Sequence, residues 1–156
     1  MITLSDLENK HIYMPSRSEY GHKGDFGHIH MIGGSVGMSG AICLSSHAAL
    51  RCGSGLVTVL LPKTINNIFE IKNTECMSVP LDDFDGIISS SSYENLFKRV
   101  QNSDCVAFGM GIGRNPDITY ILAKLLKDYK ARYMGIGEVD PDMDLFYEDK
   151  QTKEEK

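Results

Sequence analysis

Between Gly21 and Pro62 the sequence reads GHKGDFGHIHMIGGSVGMSGAICLSSHAALRCGSGLVTVLLP, and this run constrains the fold more than any other. It holds nine of the chain's fifteen glycines. Glycine loses more chain entropy on folding than any other residue. Such a cluster therefore needs tight turns, close helix-to-sheet packing or backbone approach to a ligand. The residues between the glycines are not loop-like. His28–Ile32 reads as a strand, closed by Gly33-Gly34-Ser35. Gly40–Cys52 reads as a helix whose small residues, Ala41, Ser45, Ala48 and Ala49, would let it lie close against a sheet, with Gly53 placed as its C-terminal cap. Leu56–Leu61 is rich in β-branched and aliphatic residues and ends at Pro62.

The same alternation continues. Thr64 is placed to cap a short helix through Ile71, and Ser91-x-x-Glu94 has the form of a capping box opening a helix to Val100. Cys105–Phe108 is a compact apolar strand, followed by Gly109-Met-Gly-Ile-Gly113 and by Asn115-Pro116 at a helix start. The next helix repeats apolar residues at Ile118, Ile121, Leu122, Leu125, Leu126 and Tyr129. Strands are expected near 28–33, 56–61 and 105–109, and helices near 40–52, 92–100 and 117–129. Alternating strands and helices imply parallel βαβ units, so the fold class expected is α/β, a three-layer sandwich with a mainly parallel sheet. Ligands in such folds bind at the carboxyl ends of the strands, where both glycine clusters fall. Backbone N–H groups and helix starts at that edge suit an anion.

Net charge is −5 and no basic stripe is present, which argues against nucleic acid. Apolar runs are too short to span a membrane. The four cysteines, at 43, 52, 76 and 105, form no CxxC pair and read as reduced thiols in a cytoplasmic protein. His22, His28, His30 and His47 lack partners at ligand spacing, so no metal site is expected. Lys23, Gly34, Ser35 and Gly40 are candidate phosphate or loop contacts, although Lys23 reads equally as a solvated loop residue. The stretch Gly33–Gly40 has neither the lysine of a P-loop nor dinucleotide-fingerprint spacing, and packing and ligand contact both remain open for it. No catalytic residue follows from these patterns. Residues 131–156 are acidic and lack sustained periodicity.

The order of several landmarks carries more than any single one. His22-Lys-Gly24, Gly27, Met31-Ile-Gly-Gly-Ser35, Ser39-Gly-Ala41 and Ala48-Ala-Leu-Arg-Cys-Gly-Ser-Gly-Leu-Val-Thr-Val59 together resemble the ATP/ADP-dependent NAD(P)H-hydrate dehydratases, a carbohydrate-kinase-like family. Thr74-Glu-Cys-Met77 and Phe108-Gly-Met-Gly-Ile-Gly113 are similar to its next landmarks, with Met110 where that family has proline. The resemblance covers roughly residues 15–130. It implies a ribokinase-like fold and a repair reaction: ATP or ADP, with Mg2+, phosphorylates the hydroxyl of hydrated NADH or NADPH, and loss of phosphate restores the cofactor. It implies contact of the hydrated cofactor with Ala41, Gly111 and Gly113, and a homo-oligomer. The family's later aspartate-rich strand and its Asn-x-Gly-Gly-Thr-Gly-Asp nucleotide loop have no counterpart among residues 131–156; of the acidic residues there, Glu138 in Gly135-Ile-Gly-Glu138 is the candidate substitute for the base. The expectation is thus the N-terminal part of a ribokinase-like domain over 1–130 with a divergent acidic tail over 131–156, inactive by itself. A non-catalytic nucleotide-binding remnant, or half-site partner protein, and a ribokinase-type small-molecule kinase are the alternatives.

Overall fold

The computed structural model describes Arg17 and residues 19–128. Its regular elements are β1 (His28–Ile32), α1 (Ser39–Arg51), β2 (Leu56–Pro62), α2 (Lys63–Lys72), β3 (Met77–Leu81), β4 (Asp83–Phe84), β5 (Ile87–Ile88), α3 (Tyr93–Val100), β6 (Cys105–Phe108) and α4 (Pro116–Asp128). The main sheet is four-stranded with order β3-β2-β1-β6, and every pairing in it is parallel. β4 and β5 form a small antiparallel hairpin.

Because side chains alternate across a strand, each face of the sheet builds its own core. Met31, Val57, Val59, Leu61 and Ala107 point to one face and pack on Ile42 and Cys43 of α1 and Ile65 and Phe69 of α2. Ile32, Leu60, Leu81 and Val106 point to the other and pack on Leu96 and Val100 of α3 and Ile121 and Leu125 of α4. The result is the expected three-layer α/β sandwich. Its winding matters for function. From β1 the chain steps outward through β2 to β3 with helices on one face. It then returns past β1 to β6 with helices on the other. That reversal creates a topological switch point between β1 and β6.

Several local readings need correction. The small residues of α1 do not form its sheet-facing stripe: Ile42, Cys43 and Ser46 are buried, Ala49 packs partly buried against the same core, and Ala41 and Ala48 are exposed. The branched residues take the core because burying Ile removes more apolar area than burying Ala. Gly53 does terminate α1, at φ +108, with Gly53 N–H donating to Leu50 C=O and Ser54 N–H to Ala49 C=O; this is the Schellman arrangement. Thr64 lies inside α2 rather than capping it; the Asp83 carboxylate from the hairpin accepts its N–H at 3.1 Å. The Ser91–Glu94 capping box does not form, since Ser90–Ser92 coil into a 3-10 turn and Glu94 binds Lys124 at 2.9 Å. On α4 the buried stripe narrows to Ile118, Ile121 and Leu125, Leu126 is 41% exposed, and Tyr129 lies outside the described residues.

Candidate functional site

The loops that follow β1 and β6 flank the switch point, and they are joined to each other. Gly34 N–H donates to Met110 C=O at 2.8 Å, and the buried Ser35 hydroxyl donates to Gly111 C=O at 2.8 Å. The contact is close because side chains are missing. A Cβ on Gly111, whose φ is +67, would stand 2.7 Å from the Met38 carbonyl oxygen and 2.9 Å from Ala41 Cβ. Ala41 and Gly111, far apart in sequence, therefore meet at one point. Gly113 packs at the edge of the same place against Ile87 of the hairpin. The hairpin closes over the β1 loop through Val36 N–H to Gly86 C=O at 3.0 Å.

Gly40 plays a different part. Apart from its own helix backbone and chain neighbours, no atom of the described residues lies within 4 Å of where its Cβ would be, so the first turn of α1 presents bare backbone to open space. Three of the helix starts at this edge differ in what they hold. α2 already holds the Asp83 carboxylate. α4 is capped by Asn115, whose Oδ1 accepts Ile118 N–H at 2.9 Å, and carries Asp117 in its first turn. The α1 start has no side-chain cap and no acidic residue in its first turn. Unpaired N–H groups and the positive end of the helix dipole make such a start attractive to an anion.

Beside it, Ala41, Leu44, Ser45, Phe108, Gly109 and Met110 line a pocket of about 340 Å³. It lies along the outer edge of β6, which has no partner strand among the described residues. Three of the nearby carboxylates are committed elsewhere. Asp82 pairs with Lys63 at 3.0 Å and raises the lysine's pKa, and Asp83 serves Thr64 and Gly86. Asp117 accepts the Ser90 backbone N–H and hydroxyl, both at 3.0 Å, which hold its carboxyl below the ordinary range.

Of the residues singled out by sequence, Gly34, Ser35, Gly40, Ala41, Gly111 and Gly113 gather at this edge. Lys23 does not. It sits in a 3-10 turn before β1, its carbonyl packed against Gly55 at the opposite, amino-terminal edge. Glu138 falls outside the described residues. Sequence reasoning missed the hairpin, whose signal was Asp85-Gly86: both residues have positive φ, +51 and +71, as a tight two-residue turn requires.

The family model for NAD(P)H-hydrate dehydratase matches residues 29–137. A bifunctional NAD(P)H-hydrate repair enzyme of Moorella thermoacetica is 37% identical over 114 residues, which are 72% of this chain and 22% of that protein. An ADP-dependent (S)-NAD(P)H-hydrate dehydratase of Staphylococcus aureus is 33% identical over 128 residues, 80% of this chain and 42% of that one. Among solved structures, a ribokinase-like superfamily protein of Enterococcus faecalis superposes with a TM-score of 0.64 at 24% identity, covering 77% of this chain and 39% of that one. The ADP/ATP-dependent NAD(P)H-hydrate dehydratase of Bacillus subtilis, co-crystallised with ATP/Mg2+, gives 0.66 at 18% identity, covering 85% and 44%. The chain belongs to the NAD(P)H-hydrate dehydratase family and spans less than half the length of these relatives.

Proposed function

We propose that, within this family, the described residues form the part of an ATP- or ADP-dependent NAD(P)H-hydrate dehydratase that receives hydrated NADH or NADPH. The observation that carries this reading is the meeting of Ala41 and Gly111 beside the uncapped start of α1. The substrate is a dinucleotide with a negatively charged pyrophosphate. An uncapped helix start at a switch point suits that charge, and the adjoining pocket, lined by Leu44, Phe108 and Met110, offers apolar surface to a ring.

The chemistry requires a phosphoryl group to move onto an alcohol, then leave. Such transfer depends on positioning and charge stabilisation, and an alcohol needs a base. Among the described residues Asp82, Asp83 and Asp117, three of the carboxylates near the crevice, are spent on structural hydrogen bonds, while Asp85 stands exposed at the hairpin tip. Loss of a general base alone costs on the order of 10²–10⁴ in rate. The described residues are therefore expected to act as a binding half-site with little turnover of their own. Mg2+ bound with the nucleotide would neutralise phosphate charge. Among the described residues no three His, Cys, Asp or Glu gather to hold an ion, so no step is assigned through it.

The test is to titrate hydrated NADH into the labelled protein and follow backbone amide resonances, with NADH absorbance recorded after adding ATP or ADP. Shifts at Ala41, Gly111 and Gly113 with negligible recovery of NADH are expected. Unshifted amides would remove the substrate assignment. Robust turnover lost in Glu138→Gln would instead place the base at Glu138.

A further inference from the structure

The opposite edge of the sheet carries a second cluster that the dehydratase reading does not use. His28 and His30 alternate on β1 and so share one face, with ring centroids 4.1 Å apart. This is the face of Ile32 and Leu60, but toward the amino ends of the strands the apolar core stops. His28 Nε2 meets the Thr58 hydroxyl at 2.8 Å, and His30 Nδ1 meets the Ser103 hydroxyl. Each imidazole thus spends one nitrogen on a hydroxyl and has no hydrogen-bond partner for the other among the described residues. Lys98 and Arg99, at the end of α3, are exposed and make no ion pair among the described residues. Together with Met77, Val79 and Asn102 these groups line a pocket of about 540 Å³.

Cations in the last turn of a helix are ordinary, because they complement its dipole. That explains Lys98 and Arg99 alone. It does not explain why two adjacent imidazoles with unused nitrogens lie in the same pocket, inside the sheet face. A pocket of this size takes a small organic molecule, and its charged wall takes an oxyanion. We propose that this pocket binds a small phosphorylated organic anion, the oxyanion held by Lys98, Arg99 and the His28 ring and the organic part resting on Met77 and Val79.

The charges facing the histidines come from α3 and from the turn before β6. Lys98 and Arg99 on α3 are cationic. Asp104, in the turn before β6, is the only carboxylate there among the described residues and accepts the His28 backbone N–H at 2.8 Å. β2 and β3 contribute Thr58, Met77, Ser78 and Val79, none of which titrates. Burial lowers the pKa of His28, partly offset by Asp104; burial, His28 and Arg99 lower that of His30 to about 4. Both rings are neutral at pH 7 when the pocket holds no anion. An anion favours their charged forms, so its affinity rises as pH falls.

The experiment follows the imidazole resonances of His28 and His30 in the full chain, assigned with His28→Gln and His30→Asn. Sulfate, whose charge is fixed across the range, serves for the pH series; glycerol 3-phosphate tests the organic half and glycerol is its control. None of these is a nucleotide, so the result is independent of the dehydratase reading. Both rings should shift saturably with glycerol 3-phosphate and not with glycerol. Sulfate affinity should rise at least about threefold from about pH 8 to about pH 6. The exposed double variant Lys98→Gln/Arg99→Gln, checked for an unchanged melting temperature, should weaken binding by about tenfold or more. Rings that do not shift, shifts that survive in the double variant, or equal affinity for sulfate and glycerol 3-phosphate would each overturn the proposal.

Discussion

The two ends of the same sheet are built from different materials. At the carboxyl end the chain presents backbone: glycines, loop carbonyls and a bare helix start. At the amino end, about 15 Å away along β1, it presents side chains, with two imidazoles, two hydroxyls and two cations facing one pocket. The first kind of site is made by removing atoms so that loops can close on each other. The second is made by placing functional groups on strands fixed by other contacts. They should fail in different ways. Damage to the backbone site should disturb the fold with the function, whereas the side-chain site should lose charge responses while the fold persists.

Gly111→Ala breaks the comparison most sharply. The new methyl meets the Met38 carbonyl at 2.7 Å with the backbone at φ +67, so either the loop or α1 must move. A loss of about 3 kcal/mol is expected from the strain and overlap together, measured by urea unfolding, along with loss of the hydrate-induced shift at Ala41. A variant as stable as the parent would mean that the two loops are not held together by this approach.

That backbone logic is why the carboxyl edge was legible in sequence. Gly33-Gly34 and Gly109–Gly113 follow strand-like runs directly, so the strand-to-helix turns can be located without tertiary information. The switch point could not be, because it depends on sheet order. β3 was also missed. Met77-Ser-Val-Pro-Leu81 contains a proline, which reads as a breaker, yet β3 is an edge strand on which a missing N–H is tolerated. The α1 face was misjudged because small residues fit close packing in principle, while Ile42 had more to gain from burial. The amino-edge pocket had no local pattern at all. His30 and Ser103 are 73 positions apart and meet only after the chain has crossed back to β6.

The side-chain end should respond to pH. The unfolded His30 titrates near its ordinary value of 6.5, but in the fold its pKa is about 4. Between these values the unfolded chain binds the proton and the folded chain does not. Stability is therefore fully present above about pH 6.5 and declines toward about pH 4, by about 2–3 kcal/mol from this residue. Urea unfolding across that range should show a smaller decline in His30→Asn. Equal declines in the two proteins would show that His30 does not titrate differently on folding.

A weaker cut separates the two loops without overlap. Ser35→Ala removes the hydroxyl that donates to Gly111 C=O from a site only 1% exposed. The loss should be about 1 kcal/mol, with Gly111 and its neighbours exchanging amide protons faster. A wild-type exchange pattern around Gly111 would assign the junction to Gly34 N–H and the packing of Met38 alone.

The smallest effect on stability should be the most informative, because its sign is opposite to its effect on binding. α2 accepts Asp83 at its start and α4 carries Asp117, whereas α1 begins at Met38 and Ser39 with no acidic group. If stability alone had shaped this helix, a carboxylate there would help. Met38 is 45% exposed, so Asp can replace it without burying a charge. Met38→Asp should stabilise the fold by about 0.5 kcal/mol through the helix dipole. The same carboxylate would stand where the proposed pyrophosphate arrives, and at a few ångströms the repulsion should weaken hydrated NADH binding by about tenfold. Met38→Asn adds polarity without charge and should lower affinity much less. Raised stability with unchanged binding in Met38→Asp would detach the anion from the start of α1 and leave the pocket along β6 to hold the substrate alone. Raised stability with weakened binding would identify the bare helix start as a feature kept for the ligand at the expense of the fold.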